Sequence, residues 1–410
     1  MEQENETKKY MYFIIQDICE KIGPRAPCSE EETECVNYIE NELKKYTEDT
    51  KIENFYCHPG SYKATFRIPM LNLVISTIFY WIYFFYTNEL LLISSLILVL
   101  LSVIIIQLNL FRNIELIDPL FKKKQSLNLL GKFKPKNETK RILILGGHHD
   151  SNCEFTILKK SPILFGIFMA FSVIFNHLML GIFILKLILH VLSYFYLFLQ
   201  EIDLILLVFL SVISPILIYT AINVVSNTPV MGADDNLSAI AVLMSIAKFL
   251  QNNKLQNIEI WIVSHGCEEW GDRGSKRFSK KYYNHLNKYN AFVINLDMIG
   301  GKGQLLKLVT SESMFIVKHC KELIFELANI FELLKIPYLK GSIEAYTDSM
   351  AYSQNKIKAC SIISMPKRGF PTHYHTTNDT IEKIDFNNLW NCYQILIEFI
   401  KRIDADKILI

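Results

Sequence analysis

Two long apolar blocks constrain most strongly what this chain of 410 residues can fold into. The first block, residues 68–111, contains a single charged residue, Glu89, near its middle. The second block, residues 161–225, contains three charged residues: Lys186, Glu201 and Asp203. A membrane-spanning helix needs about 20 apolar residues, so each block is long enough for two spans. Because the first block is apolar on every face, it is interpreted as a transmembrane hairpin rather than a buried soluble hairpin.

The second block has two segments that are long enough to span, residues 161–185 and 204–225. If residues on both sides of the block share one site, the block must begin and end on the same side of the membrane. This favours two crossings, with residues 186–203 at the interface or re-entrant, over four short spans. The spans lack internal charge pairs and show no repeat, so a transporter has little support.

The remaining segments, residues 1–67, 112–160 and 226–410, have globular composition and are assigned to one domain that the spans at 68–111 and 161–225 interrupt. Helical patterns cover residues 8–21, a segment capped by Ser29, and residues 236–251, 275–287, 312–332, 346–354 and 380–402. Extended patterns cover residues 51–57, 62–68, 127–133, 141–145, 258–264, 291–296, 304–310 and 359–364. Strands that alternate with helices predict an α/β fold, a three-layer sandwich with a mostly parallel central sheet.

Charge and cysteine content exclude some classes of function. The formal net charge is +2, which gives no electrostatic case for a nucleic-acid partner. The nine cysteines are scattered and lack the CxxC spacing of a zinc ribbon, so they are interpreted as reduced thiols. The polar stretch at residues 1–9 is followed by no apolar core of a cleavable signal peptide.

The stretch from Met231 to Ser238 places two adjacent carboxylates in a glycine-led turn before a helix. A carboxylate in such a turn can offer one oxygen to each of two metal ions, and Asp235 is interpreted in this way. The alternative is an acidic helix N-cap, a position that Asp and Asn favour.

Four other stretches with metal-binding side chains also end a predicted strand or begin a helix. They are His148-x-Asp150, the adjacent pair Glu268-Glu269, Asp297, and His375 with an acid four residues later. Because active groups collect at the carboxyl ends of strands in such sheets, these side chains are expected to converge on Asp235. Asp150 is expected to fix the tautomer and orientation of His148. His265 and Cys267 flank the glutamate pair and are interpreted as packing residues.

Two histidines, one shared aspartate, one glutamate and one further aspartate form a set of ligands for two metal ions. The mixture of nitrogen and carboxylate oxygen suits zinc, and cobalt and manganese are compatible. Two neighbouring cations polarise a carbonyl and lower the pKa of a bridging water. The glutamate that does not bind metal then supplies the base. This combination indicates amide hydrolysis without a covalent intermediate.

The motifs HxD, GADDN, EExG, LDM and YHTxxDT, in this order, resemble those of metallopeptidase family twenty-eight, which contains zinc aminopeptidases and glutamate carboxypeptidases. The resemblance implies that His148, Asp235, Glu269, Asp297 and His375 are the ligands, with Asp235 bridging. It also implies that Glu268 is the general base, that Tyr374 stabilises the tetrahedral oxyanion and that the peptide bond after Asp235 is cis. The sequence departs from the pattern at Ser349, where a His is usual, and in the long apolar block between the first two ligands.

The expectation is therefore a membrane-bound exopeptidase with two Zn²⁺ ions, most simply an aminopeptidase that acts on peptides. The alternatives are a single-zinc acyltransferase that resembles glutaminyl cyclase and a catalytically inactive receptor or scaffold. Basic residues flank the spans on the side of the globular domain: Lys63, Arg67, Arg112, Lys122, Lys123, Lys124, Lys159 and Lys160. The positive-inside rule then predicts a multi-pass membrane protein with its catalytic domain in the cytoplasm.

Overall fold

The computed structural model describes residues 2–191, 196–313, 316–371 and 373–407. The chain divides into two compact units. The globular unit comprises residues 1–59, 123–154 and 228–410, and the helical unit comprises residues 60–122 and 155–227.

The helices are α1 (Glu2–Lys21), α2 (Glu30–Leu43), α3 (Gly60–Tyr86), α4 (Glu89–Ile105), α5 (Thr156–Lys160), α6 (Pro162–Val191), α7 (Tyr196–Asn223), α8 (Ser238–Asn252), α9 (Arg273–Lys288), α10 (Lys321–Leu334), α11 (Asp348–Gln354) and α12 (Phe386–Asp404). The strands are β1 (Thr50–Cys57), β2 (Lys124–Phe133), β3 (Arg141–His148), β4 (Ile258–His265), β5 (Phe292–Asp297), β6 (Leu305–Val309), β7 (Ser311–Glu312), β8 (Val317–Lys318), β9 (Tyr338–Gly341) and β10 (Lys358–Met365).

The globular unit is built on a mixed sheet. Within the described residues its eight strands follow the order β1-β2-β4-β3-β5-β10-β6-β9. The central strands β4, β3, β5 and β10 are parallel neighbours, and antiparallel pairs lie towards the edges. The predicted mostly parallel sheet is confirmed, and its parallel centre is the part that places several strand ends at one edge.

Alternating side chains of the central strands pack on opposite faces of the sheet. Leu143 and Leu145 join a core with α1, α2, α8, α10 and α12. Ile142 and Ile144 join a second core with α9 and α11, where Trp261 is fully buried. A sheet that is covered on both faces by helices is the predicted three-layer sandwich.

The helical unit contains the two apolar blocks. Within the described residues, four of its helices are long and apolar enough to cross a membrane, by length and composition: Gly60–Tyr86, Glu89–Phe111, Pro162–His190 and Asp203–Asn223. Most of residues 186–203, predicted to be an interfacial segment, belongs to α6 and α7, while residues 192–195 lie outside the described part of the chain.

The expectation that the spans contain no charge pair is wrong. Lys186 and Asp203 form an ion pair, and both side chains are buried. The Lys186 ammonium also donates to the Tyr80 hydroxyl at 2.6 Å, and that hydroxyl donates to Asp203. The two charges lie 17 residues apart in adjacent helices, so only the packing of those helices brings them together.

The predicted strand at residues 62–68 is also wrong, because these residues begin α3. Their apolar and polar side chains alternate, which is typical of a strand. In the helix, however, Lys63 and Arg67 are four residues apart and lie on the same face. Lys63 donates to the Ser226 carbonyl at 2.6 Å, and Arg67 donates to the Ala221 carbonyl at 3.1 Å. Ala221 lies in the last turn of α7, where a bound cation is favourable, and Ser226 follows the end of that helix.

Residues 312–332 do not form the single predicted helix. The short strands β7 and β8 precede α10, and β9 is an edge strand that the sequence did not reveal. The fully buried Glu312 accepts hydrogen bonds from Thr347 N at 3.1 Å and Thr347 Oγ1 at 2.7 Å. If residues 312–332 formed one helix, the Glu312 carboxylate would lose these hydrogen bonds. Tertiary contacts therefore override the local helical pattern.

Candidate metal centre

Three neighbouring strands deliver metal-binding side chains to one edge of the sheet. β3 lies between β4 and β5 and is parallel to both, with His148 in register with His265. β3 ends at His148, β5 ends at Asp297, and the Glu268-Glu269 pair follows shortly after the end of β4. The carboxyl ends of the three strands therefore meet, as the sequence predicted.

The turn that carries Asp235 depends on close backbone packing. Gly232 has φ 62°, and a Cβ atom at this position would lie 2.5 Å from the Asp235 carbonyl oxygen. The Asp235–Asn236 peptide bond is cis, as expected from the resemblance. Asn236 then ties the turn to the end of β5, because its side chain donates to Leu296 O at 2.9 Å and accepts from Met298 N at 3.2 Å.

The two oxygens of Asp235 face different histidines. His148 Nε2 lies 3.2 Å from Asp235 Oδ1 and 3.7 Å from Asp297 Oδ1. His375 Nε2 lies 3.2 Å from Asp235 Oδ2 and 2.8 Å from Glu269 Oε2. The five predicted ligands therefore come together in two groups that share Asp235.

These donors fit metal ions by position, burial and chemistry. Ligand atoms of His148, Asp235 and Glu269 lie within 4.8 Å of one another, and so do those of His148, Glu268 and Asp297. Within the described part of the chain, the buried atoms His148 Nε2, Asp235 Oδ2 and Glu269 Oε1 make no hydrogen bond of acceptable geometry, although charged neighbours lie close to the first two. Buried polar atoms without a partner are costly, and coordination of a cation would satisfy all three.

The electrostatics of the cluster also favour a cation. Burial, and then the charge of Asp235, raises the pKa of Glu269 to about 7. Burial raises the pKa of Asp297 to about 6. For His375, burial acts to lower the pKa, but Glu269 and Asp235 outweigh it and raise the pKa to about 10. Several buried carboxylates that repel one another are stabilised when a positive charge enters among them.

Glu268 lies beside the His148 group. Its Oε2 is 3.7 Å from His148 Nε2. Burial raises the pKa of Glu268 well above its ordinary value, and the nearby acids Asp272, Asp297 and Asp348 raise it further. A raised pKa brings a glutamate nearer to the range in which a general base both accepts and returns a proton.

Asp150 supports the site differently from the prediction. His148 Nδ1 lies 3.1 Å from the Asp150 backbone carbonyl and 3.6 Å from its carboxylate. The carboxylate accepts hydrogen bonds from the backbone N–H groups of Glu268 at 3.2 Å and Glu269 at 3.1 Å. Asp150 therefore orients His148 through its backbone and holds the loop of both glutamates through its side chain.

Sequence reasoning missed Asn152. Its side-chain amide donates to Glu269 Oε2 at 2.8 Å and lies 3.1 Å from His375 Nδ1. The indole N–H of Trp270 donates to the side-chain carbonyl oxygen of Asn152 at 3.2 Å. The position of Asn152, two residues after Asp150, is the only signal in the sequence, and an asparagine near a motif has many other uses.

Replacement of Asn152 with alanine removes the group that holds Glu269 in place. We expect the Zn²⁺ affinity to fall about 10- to 100-fold, the usual effect of losing a residue that supports a ligand. Isothermal titration with Zn²⁺ measures the change. The matched control is Asn252→Ala, at an exposed position at the end of α8, and it should leave the affinity unchanged. Equal affinities for the two variants would contradict a supporting role for Asn152.

A second supporting group lies behind Asp235. The carboxylate of Asp379 accepts from the backbone N–H groups of Asp234 at 2.8 Å and Asp235 at 3.0 Å. Asp234 in turn accepts from Gly300 N at 2.7 Å and contacts His373 Nε2 at 2.8 Å. His373 is buried in this network. The carboxylate of Asp234 is therefore engaged in structural contacts. Asp235 is the acid of the pair that faces both His148 and His375.

Arg25 joins the amino-terminal segment to the same loops. Its buried guanidinium donates to the carbonyl oxygens of His149 at 2.7 Å, Met231 at 2.8 Å and Gly232 at 3.0 Å. One side chain thus ties the strand end of His148 to the turn of Asp235.

Tyr374 lies next to the predicted ligand His375. Its ring stacks on the imidazole of His375, with centroids 3.6 Å apart and planes inclined by 23°. This stacking fixes the orientation of His375. The predicted contact of the Tyr374 hydroxyl with an oxyanion remains a prediction.

Comparisons with known proteins agree with this architecture. A family model described as peptidase family M28 matches residues 219–400. A glutaminyl cyclase from Bacteroides thetaiotaomicron bound to N-acetylhistamine has a similar structure, with TM-score 0.57 and 17% identity over 96% of this chain and 97% of that chain. A leucine aminopeptidase precursor from the same organism has TM-score 0.55 and 17% identity over 96% of both chains. A Zn-dependent exopeptidase from Parabacteroides distasonis has TM-score 0.55 and 17% identity over 96% and 97%. No curated protein matches the sequence significantly.

Proposed function

We propose that this chain is a zinc-dependent aminopeptidase with a two-ion catalytic centre. One observation carries the proposal: the two oxygens of Asp235 each lie 3.2 Å from a different histidine. Each histidine has its own second acid, Asp297 for His148 and Glu269 for His375. Such a division supports two ions that share one aspartate. The match to peptidase family M28 over residues 219–400 supports a metallopeptidase-type hydrolase.

The chain's own residues would carry the proton chemistry. When bound, the two ions would supply Lewis-acid polarisation of the substrate carbonyl and acidify water. Glu268 accepts the proton of the attacking water and returns it to the nitrogen of the departing amine. Asp150 holds the backbone of Glu268 and Glu269 through its carboxylate, so the base and a ligand keep a fixed relation. The Tyr374 hydroxyl would stabilise the oxyanion.

A panel of chromogenic amino-acid amides tests this function on the purified full-length chain in detergent. We expect amide hydrolysis that a chelator abolishes and that added Zn²⁺ restores, because the ligands bind the catalytic ions. Elemental analysis of the active protein should find at least two ions per chain. A metal-loaded protein that hydrolyses no amide in the panel would contradict the proposal and favour a glutaminyl cyclase or an inactive scaffold.

Glutaminyl cyclisation is the second candidate, because a glutaminyl cyclase is among the similar structures. In this reaction the amino-terminal nitrogen of a glutaminyl peptide attacks its own side-chain amide and releases ammonia, with no water consumed. A peptide with an amino-terminal glutamine separates the two activities. Ammonia release without peptide cleavage, from a centre with a single ion, would identify the cyclase.

We also propose that the helical unit crosses the membrane. Its outer side chains are strongly apolar, and Leu90, Ile163 and Ile205 are 70, 75 and 72% exposed. Such exposure is costly in water and favourable in lipid. The basic residues that flank the spans favour a catalytic domain on the cytoplasmic side. The protein should remain in the membrane pellet after an alkaline carbonate wash, and recovery in the soluble fraction would contradict this placement.

A further inference from the structure

Three cysteine side chains meet next to the glutamate loop, outside the set of ligands described above. Cys28 Sγ lies 3.3 Å from Cys57 Sγ, and Cys57 Sγ lies 3.5 Å from Cys267 Sγ. The three sulfur atoms all lie within 4.8 Å of one another. Cys57 and Cys267 are fully buried, and Cys28 is partly exposed. We call these residues the trithiol cluster.

The cluster joins three distant parts of the chain. Cys28 lies just before α2, Cys57 is the last residue of β1, and Cys267 follows β4. Cys28 has φ 62° and Cys267 has φ 50°, in the left-handed region where residues other than glycine are uncommon. Because this conformation is unfavourable for a residue with a side chain, it persists only where the surrounding structure holds it.

A buried carboxylate holds two of the three cysteine backbones in place. Glu32 Oε2 accepts from Cys28 N at 2.8 Å, and Glu32 Oε1 accepts from Cys267 N at 2.9 Å. Ser126 Oγ donates to the same Oε1 at 2.8 Å. Glu32 is fully buried, so its fixed position orients both cysteine residues. Groups that orient ligands in this way are typical of metal sites.

We propose that the trithiol cluster is a second metal site, which binds one Zn²⁺ or similar thiophilic ion through Cys28, Cys57 and Cys267. Three thiolates suit zinc and other soft or borderline ions, and a water molecule on the exposed side of Cys28 completes four-coordination. Sulfurs bound to a tetrahedral zinc at about 2.3 Å lie about 3.8 Å apart. The observed separations of 3.3 and 3.5 Å therefore widen by about 0.3 to 0.5 Å on binding.

The proposed ion has a structural role, and it affects the loop that carries Glu268 and Glu269 through the backbone. Cys267 immediately precedes Glu268 and Glu269, so an ion at the cluster would fix the loop that carries both. A disulfide would use two of the three sulfurs and leave the third without a role, whereas an ion uses all of them. Phe55 and Trp270 pack against the cluster and limit access of water to it.

Titration with Co²⁺ tests the proposal on the reduced full-length chain. Thiolate-to-cobalt charge-transfer absorbance requires sulfur ligands, so the catalytic centre, with histidine and carboxylate ligands, contributes none. We expect saturating Co²⁺ to produce this absorbance, with the amplitude of one thiolate-bound ion per chain. Asp297→Asn should retain it, which separates the cluster from the catalytic centre whether or not the proposed hydrolysis is correct. A wild-type chain without the absorbance would overturn the site.

Single substitutions identify the ligands. Cys28→Ser and Cys57→Ser should each lower the affinity for Co²⁺ by at least about 100-fold, since the loss of a direct ligand costs no less than the loss of a supporting one. The matched control is Cys19→Ser, which also changes a partly buried cysteine but lies outside the cluster. Circular dichroism verifies that each variant is folded. Unchanged affinity in folded Cys28→Ser and Cys57→Ser would overturn the proposal. A Cys28–Cys57 disulfide that persists under reductant would overturn it as well.

Discussion

Glu268→Gln should lower kcat for amide hydrolysis by roughly 10²- to 10⁴-fold, the usual contribution of a general base. The glutamine side chain keeps the shape of the glutamate but cannot accept the proton of water. Glu268 is not one of the five proposed ligands, so the content of metal ions should stay the same. Steady-state kinetics on the best amide substrate, together with elemental analysis, measure both quantities.

The control for this variant is Glu344→Gln, which makes the same chemical change at an exposed position. It should leave kcat and metal content unaltered. If Glu268→Gln loses activity only because it loses metal, Glu268 is a ligand rather than the base. If it keeps full activity with metal bound, another group accepts the proton.

Asp235→Asn should release both catalytic ions, whereas substitution of either outer acid should release one. Among the described residues, Asp235 is the acid that lies 3.2 Å from both His148 and His375, through different oxygens. An asparagine keeps one carbonyl oxygen and removes the negative charge that both ions would share. We expect the affinity for each ion to fall by more than about 100-fold, and activity to disappear with it.

Two further variants test whether the loss of both ions is specific to Asp235. They are Asp297→Asn, which changes an outer acid, and Asp406→Asn, which is the control. Asp297 faces only the His148 group, so its substitution should leave the ion near His375 and Glu269 in place. Asp406 is exposed and should tolerate asparagine with no change in metal content. Elemental analysis after gel filtration gives the number of ions per chain. Equal losses in Asp235→Asn and Asp297→Asn would contradict the shared role of Asp235.

The predicted ligands could be recognised because each belongs to a short pattern with a local cause. A buried apolar run followed by a polar side chain marks the end of a strand, as at Asp297. Parallel strands then bring such ends to one edge, so the convergence of His148, Glu269 and Asp297 follows from the fold class. The order of the motifs along the chain also identified Asp235 and His375 as candidate ligands. The positions of these two side chains depend on loops rather than on strand ends.

The errors in the prediction have an equally physical origin. Alternating residues at 62–68 satisfy a strand pattern, and the helical position of Lys63 and Arg67 depends on carbonyls at the end of a distant helix. Likewise, the helical pattern at 312–332 gives way to the buried partners of Glu312. The local periodicity of a segment carries no information about its contacts with residues that are distant in the chain.

The sequence by itself determined the class of the fold, the apolar blocks and the identity of the candidate ligands, because periodicity, composition and motif order are local properties of a chain. Only the tertiary structure decided which histidine faces which oxygen of Asp235, and that Asn152 and Asp379 support the site. The same holds for the meeting of Cys28 with Cys57 and Cys267. These relations join residues far apart in the chain, and the packing of the surrounding helices and strands sets the distances between them.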